Sequence, residues 1–436
     1  MAGPVSRPGV AATGNRGGPT YGPALALLAS LFFMWGFITV INNTLLPHLR
    51  SVFELNYKQT TLIESTWFIG YLVASIPAAK LIERIGYQRA LVIGLVIMAI
   101  GALGMVPAAR LPSYGVTLAS LFTVSCGIAL LQVAANPYVA VIGPAESAES
   151  RLTLVQAFNT TGDVLAVLFG QYLILGRTTG GTVAEGTKLS YAQRMADAQA
   201  TQLPYLLVAV VLAIIAVVIA RAKLPQLGEA TRRANAEERK HLSLWNHRNL
   251  VLGVVAIFVY LIAEIGVGNL FINFASQPDI GNVTHEQAAN YLVFVWGGMA
   301  VGRFAGAFIM RVISPEKVLA GFSIGAFLVM LVASFAHGPT ALYGLMAVGL
   351  FHSIMFPTIF ALAIRGLGPL TEEGSGLLIM AIAGGALVFL QGWLADAYGI
   401  QTSFILTAAC ELFILFYALW GSRVTADAGT ERLSEV

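Results

Sequence analysis

FFMWGFITVINNTLLPHLR, residues Phe32 to Arg50, is the stretch that decides how the chain is read. Apolar residues flank Asn42 and Asn43 on both sides, and Pro47 closes the segment. An amide at hydrocarbon depth finds no hydrogen-bonding partner in lipid, so the pair must face protein, water or a ligand. Trp35, Thr39 and Asn43 follow i, i+4, i+8 and fall within roughly 80° of one helical face. An aromatic plane beside a hydroxyl and an amide suits a sugar; the same groups also suit a polar clamp between helices.

The rest of the chain agrees with a membrane setting. Of its 436 residues 57% are hydrophobic and 11% charged, with mean hydropathy +0.76. A soluble domain carries about 25% charged residues, so this is a polytopic membrane protein in contact with lipid. The net charge of +3 does not point to nucleic acid, because the basic residues lie in short loops. Cys126 and Cys410 sit inside apolar runs without metal-ligand spacing and read as small core residues. Met1 to Thr20 is a Gly/Pro/Arg tail with no apolar core, so the first spanning helix is expected to direct insertion without a cleaved signal peptide.

A spanning helix needs about 20 apolar residues. Twelve segments qualify, near 24–46, 60–80, 89–108, 114–142, 152–175, 203–222, 250–275, 286–310, 317–336, 341–364, 374–396 and 402–421. The expected organisation is a tail over 1–20, a six-helix bundle over 21–222, a linker over 223–249, a second six-helix bundle over 250–421 and a tail over 422–436. The linker is basic, with Arg232, Arg233, Arg239 and Lys240. If both ends are cytoplasmic, inner segments hold eighteen of the 25 Lys and Arg and outer loops six, with Arg303 inside a helix. That asymmetry predicts cytoplasmic termini.

The halves read as repeats. Gln132 precedes Pro137 by five residues in the fourth segment, and His352 precedes Pro357 by the same five in the tenth. Glu83 to Arg89, ERIGYQR, closes the second segment, and Arg311, Pro315, Glu316 and Lys317 follow the eighth. Two six-helix halves on a basic linker resemble the major facilitator superfamily: an all-α membrane protein of twelve helices with its substrate site between the halves. The Glu83–Arg89 loop resembles that superfamily's signature, which gives Glu83, Arg84 and Arg89, together with Arg303, an expected part in conformational gating.

Polar groups inside the apolar runs mark the candidate site. In the fifth segment Gln156, Asn159, Thr160 and Asp163 follow i, i+3, i+4, i+7, a stripe roughly 100° wide. A charged carboxylate at a helix centre costs about 2.5–3.5 kcal/mol, so the stripe faces a cavity or a polar neighbour. In the fourth, Gln132 and Asn136 stand one turn apart, and Pro137 removes a backbone donor. His352 and Phe356 occupy the matching places in the tenth; the histidine reads as a ligand-facing group or a satisfied hydrogen-bond donor. Glu264, in YLIAEIGVGNLFINF, has no basic residue nearby on its own helix, which suits a proton carrier. An ideal helix turns Asn269 and Asn273 roughly 140–180° away from it. Either Gly266 and Gly268 unwind the helix and unite them, or they serve different surfaces. Arg303 is expected to pair with a carboxylate near the cytoplasmic face, and Glu411 reads as a similar structural partner.

FFMWGFITVINNTLLPHL, LLQVAANPYVAVIGP, LVQAFN and IMFPTIFALAI, spread over both halves, resemble the fucose–galactose–glucose:proton symporters. The resemblance covers the chain apart from its tails and the loop 177–202. It is strongest to the bacterial glucose/galactose branch and its N-acetylglucosamine-transporting relatives. It implies a central sugar site, formed here by Trp35, Asn43, Gln132, Asn136, Gln156, Asn159, Asn269, His352 and Phe356, with sugar driven inward by protons. It further implies a monomer in the bacterial inner (plasma) membrane, with no cofactor and no enzymatic activity. The family pattern has an aspartate where this chain has Asn43, and the fucose branch a glutamate where it has Gln132. Glu264 matches the seventh-helix glutamate of the glucose/galactose branch, and Asp163 is additional. Coupling therefore rests on Glu264 and Asp163, with H+ as the expected ion and Na+ or uncoupled transport as alternatives. A polyspecific drug exporter on the same fold is the remaining competitor, although the amides and hydroxyls at several depths favour a polar substrate.

Overall fold

The structure, a computed structural model, describes residues 21–53, 57–110, 113–173, 202–225 and 242–424, with residues 190, 193 and 199 between. The tails 1–20 and 425–436 and most of the linker lie outside the described residues. The side chain of Asn43 does too.

Twelve helices account for the described chain: α1 Gly22–Phe53, α2 Tyr57–Ile85, α3 Tyr87–Arg110, α4 Tyr114–Val141, α5 Ala148–Leu173 and α6 Gln202–Arg221 in the first half. The second half holds α7 Arg248–Ala275, α8 His285–Ile309, α9 Pro315–Phe335, α10 Gly338–Ile364, α11 Gly368–Tyr398 and α12 Ile400–Gly421. No strand occurs among the described residues. Among the described residues, eleven of these helices are long and apolar enough to cross a membrane by length and composition. The other helix, α5, carries Glu149, Arg151, Gln156, Asn159 and Asp163. α1 and α2 run several residues past the apolar segments read from sequence, because a helix does not stop where its hydrophobic stretch stops.

Within the first half α1 packs on α5, and α4 on α2 and α3. Within the second, α7 packs on α11 and α12, α8 on α10, and α9 on α10 and α12. The halves meet along two seams, α5 against α8 and α10, and α11 against α2 and α4. Small residues set the approach: a Cβ on Gly162 would strike the Phe33 backbone of α1. The α2–α3 turn needs Gly86, at φ +85°, a conformation that costs a side chain steric strain.

Three helices depart from uniform geometry or stay regular where the sequence left a choice. α10 breaks at Ser353–Ile354, just before Pro357. α11 tightens into a 3-10 stretch at Ala381–Val388, where Gly384 meets the Phe258 backbone and Gly385 the Phe68 ring of α2. α7 is continuous through Gly266 and Gly268, so Glu264 and the Asn269/Asn273 pair serve different surfaces.

The end carrying the start of α1 and the end of α12 is held closed. Arg365, after α10, reaches Glu149 at the start of α5 (2.5 Å) and Glu316 at the start of α9 (2.6 Å). Burial works against the Arg365 charge, but Glu149 and then Glu316 more than offset it, raising its pKa above the ordinary arginine value. Ser150 donates to the Ala307 carbonyl across the same seam (2.6 Å).

Candidate functional site

The α4 amides stand where the first half faces its partner. Gln132 is buried and donates Nε2 to the Tyr71 hydroxyl of α2 (2.7 Å), with Trp35 against that hydroxyl as well. Its Oε1 has no partner among the described residues. One turn on, Asn136 Oδ1 accepts from Gln156 Nε2 of α5 (3.3 Å), and Asn136 Nδ2 is without a partner. Two fully buried amides thus keep one acceptor and one donor open, which is costly unless something else fills them.

Along α5 the stripe turns toward α1 and the second half. Asn159 donates to the Phe32 carbonyl (2.9 Å), and both Asn159 and Asp163 occupy the notch that Gly36 leaves in α1. Thr160 accepts from Arg303 of α8, whose guanidinium also donates to the Gln156 carbonyl (3.1 Å) and the Ser353 carbonyl of α10 (3.0 Å). Among the described residues Arg303 makes no ion pair with a carboxylate, whereas its sequence position suggested one near the cytoplasmic face. It is 6% exposed, deep in the seam. Its charge acts on two acids, Asp163 in the first half and Glu264 in the second.

Glu264 is half-buried, lies beside Tyr260 one turn earlier, and is electrostatically coupled to Arg303 and His352. His352 bonds Glu411 of α12 through Nε2 (2.8 Å), and both side chains are almost completely enclosed. Tyr260 donates to the His352 carbonyl (3.2 Å) and lies edge-on to its ring at 5.7 Å. A polar band consequently runs from Tyr71 on α2 to Glu411 on α12, with Arg303 at its centre.

Of the residues expected at the site, the structure bonds Asn136 to Gln156, sets Gln132 one turn away and bonded to Tyr71 instead, and brings Asp163 and Glu264 under the charge of Arg303. Trp35 is buried against Phe32 (5.2 Å between rings), and Phe356 is buried and stacked on Phe360 (6.1 Å). Asn269 is exposed and stands apart from the bonded set. At the α2–α3 turn Glu83 is half-buried, whereas Arg84 and Arg89 are exposed. Between them Gln88 caps the end of α6 through the Ile219 and Ala222 carbonyls (2.8 Å each). Two contributors carried only weak sequence signals: Tyr71, one turn from Trp67, and Tyr260, one turn from Glu264. Gln391, buried with its Oε1 3.5 Å from Thr407, had no signal beyond being an amide in an apolar run.

Comparisons with known proteins agree with this architecture. A family model described as Major Facilitator Superfamily matches residues 26–390. The chain is 44% identical over 404 residues to a glucose/galactose transporter of Brucella abortus, covering 92% of this chain and 95% of that one. It is 34% identical over 412 residues to the L-fucose-proton symporter of Escherichia coli, covering 92% and 94%. The crystal structure of the E. coli fucose:proton symporter superposes with a TM-score of 0.82 at 32% identity, over 93% of this chain and all of that one. A structure of FucP in the outward conformation superposes equally well, again at 0.82. With twelve helices in the observed arrangement and a family match over most of its length, this chain belongs to the Major Facilitator Superfamily of membrane transporters.

Proposed function

We propose that the chain is a secondary active transporter that imports a monosaccharide of the glucose/galactose kind together with a proton, by alternating access. The observation that carries this reading is the open acceptor on Gln132 and the open donor on Asn136, one turn apart and buried where the halves meet. A sugar hydroxyl both donates and accepts, so it matches such a pair. Exchanging O and N in either amide still leaves an atom open. Asn159 and Gln156 extend the polar wall, and Trp35 and Phe356 supply apolar faces. The likeness to a glucose/galactose transporter and to an L-fucose-proton symporter supports both halves of the reading.

Coupling follows from charge balance. Asp163 and Glu264 share the single positive charge of Arg303, which leaves one negative charge uncompensated at membrane depth. One proton neutralises the cluster and removes the cost of carrying that charge through the conformational step. Sodium supplies the same single charge and is the competing ion. The Lys/Arg bias supports cytoplasmic termini and linker, so the end closed by Arg365 and Glu149 is the cytoplasmic one. The protein works as a monomer in the bacterial inner membrane, on this account.

Calorimetry on the purified protein with glucose, galactose and N-acetylglucosamine tests the site. Losing one buried hydrogen-bond partner typically costs about 1–3 kcal/mol. Gln132→Ala and Asn136→Ala should each weaken the preferred sugar by roughly ten-fold or more. Unchanged affinity in both variants would remove these amides from the site.

A further inference from the structure

A proline inside a helix lacks the N–H that the carbonyl four residues earlier would receive. Pro137 thereby frees the Val133 carbonyl of α4, and Pro357 frees the Ser353 carbonyl of α10. The two helices hold the fourth place in the chain's two sets of six. Both freed carbonyls are captured by side chains at the seams between the halves. Ser375 of α11 donates across the first seam to the Val133 carbonyl (2.9 Å, buried). Arg303 of α8 donates Nε to the Ser353 carbonyl (3.0 Å), and its NH1 then crosses the second seam to the Gln156 carbonyl and the Thr160 hydroxyl.

The other helix prolines give a contrast. Pro77 and Pro107 also free a carbonyl, on Val73 and Leu103, but these residues face outward at 54% and 46% exposure. No side chain among the described residues is bonded to either carbonyl. Among the described residues, capture is seen at the two prolines beside the seams.

We propose that Pro137 and Pro357 create the acceptors of a two-part latch, in which Ser375 and Arg303 take the freed carbonyls and hold the halves together at the end carrying the termini. Ser375 bonds the opposite half directly. Arg303 is a positioning residue: the Ser353 carbonyl fixes its planar fork so that the other nitrogen reaches α5. When the halves part at this end, the Val133 bond and the α5 bonds of Arg303 break, and the helices supply no replacement donor. The latch thus sets the balance between the closed and open states of that end. The same seams carry close contacts that allow little sliding without separation, such as Gly376 against Ala79 (2.9 Å for an added Cβ).

The test needs neither sugar nor transport, so it stands apart from the functional reading above. Spin labels at Ala145→Cys and Val312→Cys, exposed sites on opposite halves of this end, report its opening as a pair distance. Cys126→Ser and Cys410→Ser provide the background. Ser375→Ala should add a longer-distance population, lowering the closed-to-open ratio roughly two- to ten-fold, the effect of one hydrogen bond. Arg303→Lys, which keeps the charge and loses the fork, should shift it the same way. Pro137→Ala returns an N–H to the Val133 carbonyl; it should act in the same direction, and combined with Ser375→Ala it should exceed neither single change by much. Unchanged distances in Ser375→Ala and Arg303→Lys overturn the latch. Movement in only one of them overturns its paired character, and full additivity of Pro137→Ala with Ser375→Ala overturns the shared carbonyl.

Discussion

Gln132, His352 and Arg303 are each a polar residue in an apolar run, and their surroundings give them three different tasks. Gln132 keeps a buried acceptor open. His352 is enclosed and committed to Glu411, a buried side-chain bridge from α10 to α12. Removing its partner leaves a buried imidazole nitrogen unbonded. Glu411→Ala should therefore destabilise the protein by about 1–3 kcal/mol, read as a lower melting temperature in detergent, while sugar Kd stays within about two-fold. A normal melt together with lost sugar binding would move His352 from the core to the site. At this scale the sequence was most legible where one helix held the whole pattern, as in the Gln132/Asn136 turn and the α5 stripe. It was least legible for Arg303, whose partners lie 50, 143 and 147 residues away. Spacing along one helix cannot reveal which neighbouring helix will offer a carbonyl.

The elements themselves were readable from hydropathy, because hydrocarbon length fixes how many apolar residues a span needs. Their interruptions were not. The sequence singled out Pro137 as the place where a backbone donor is lost, yet α4 runs on through it, whereas α10 breaks just before Pro357. In α7 two glycines offered a place to unwind and the helix stayed regular, since its backbone bonds have no better partner in the membrane. Glycine matters more where helices touch. Gly162 admits the α1 backbone, so Gly162→Ala overpacks the α1–α5 contact and should cost about 1–3 kcal/mol. Gly321 on α9 has nothing within 4 Å of an added Cβ; Gly321→Ala should be neutral or gain up to about 1 kcal/mol of helix propensity. Thermal unfolding of the two variants side by side checks the contrast, and equal melting temperatures would contradict the packing of α1 on α5.

Over the whole molecule, the two halves are tied at one end by Arg365 with Glu149, Ser150 with the Ala307 carbonyl, and Ser375 and Arg303 deeper in. The charges that need balancing, Asp163, Arg303 and Glu264, sit on both sides of that join. On the proposed reading, loading and conformational change involve the same residues, as coupled transport requires. The measurement that reaches this most directly is uptake of labelled glucose or galactose into liposomes under an inward proton gradient, with sodium tested alone. One charge per sugar is worth about 2.3 kcal/mol per 100 mV, enough for almost fifty-fold accumulation at that potential. The account predicts that the protein accumulates sugar above equilibrium when protons flow inward, and that Glu264→Gln exchanges sugar at equilibrium but no longer concentrates it. Proton-driven accumulation by Glu264→Gln, or accumulation that follows sodium alone, would contradict it.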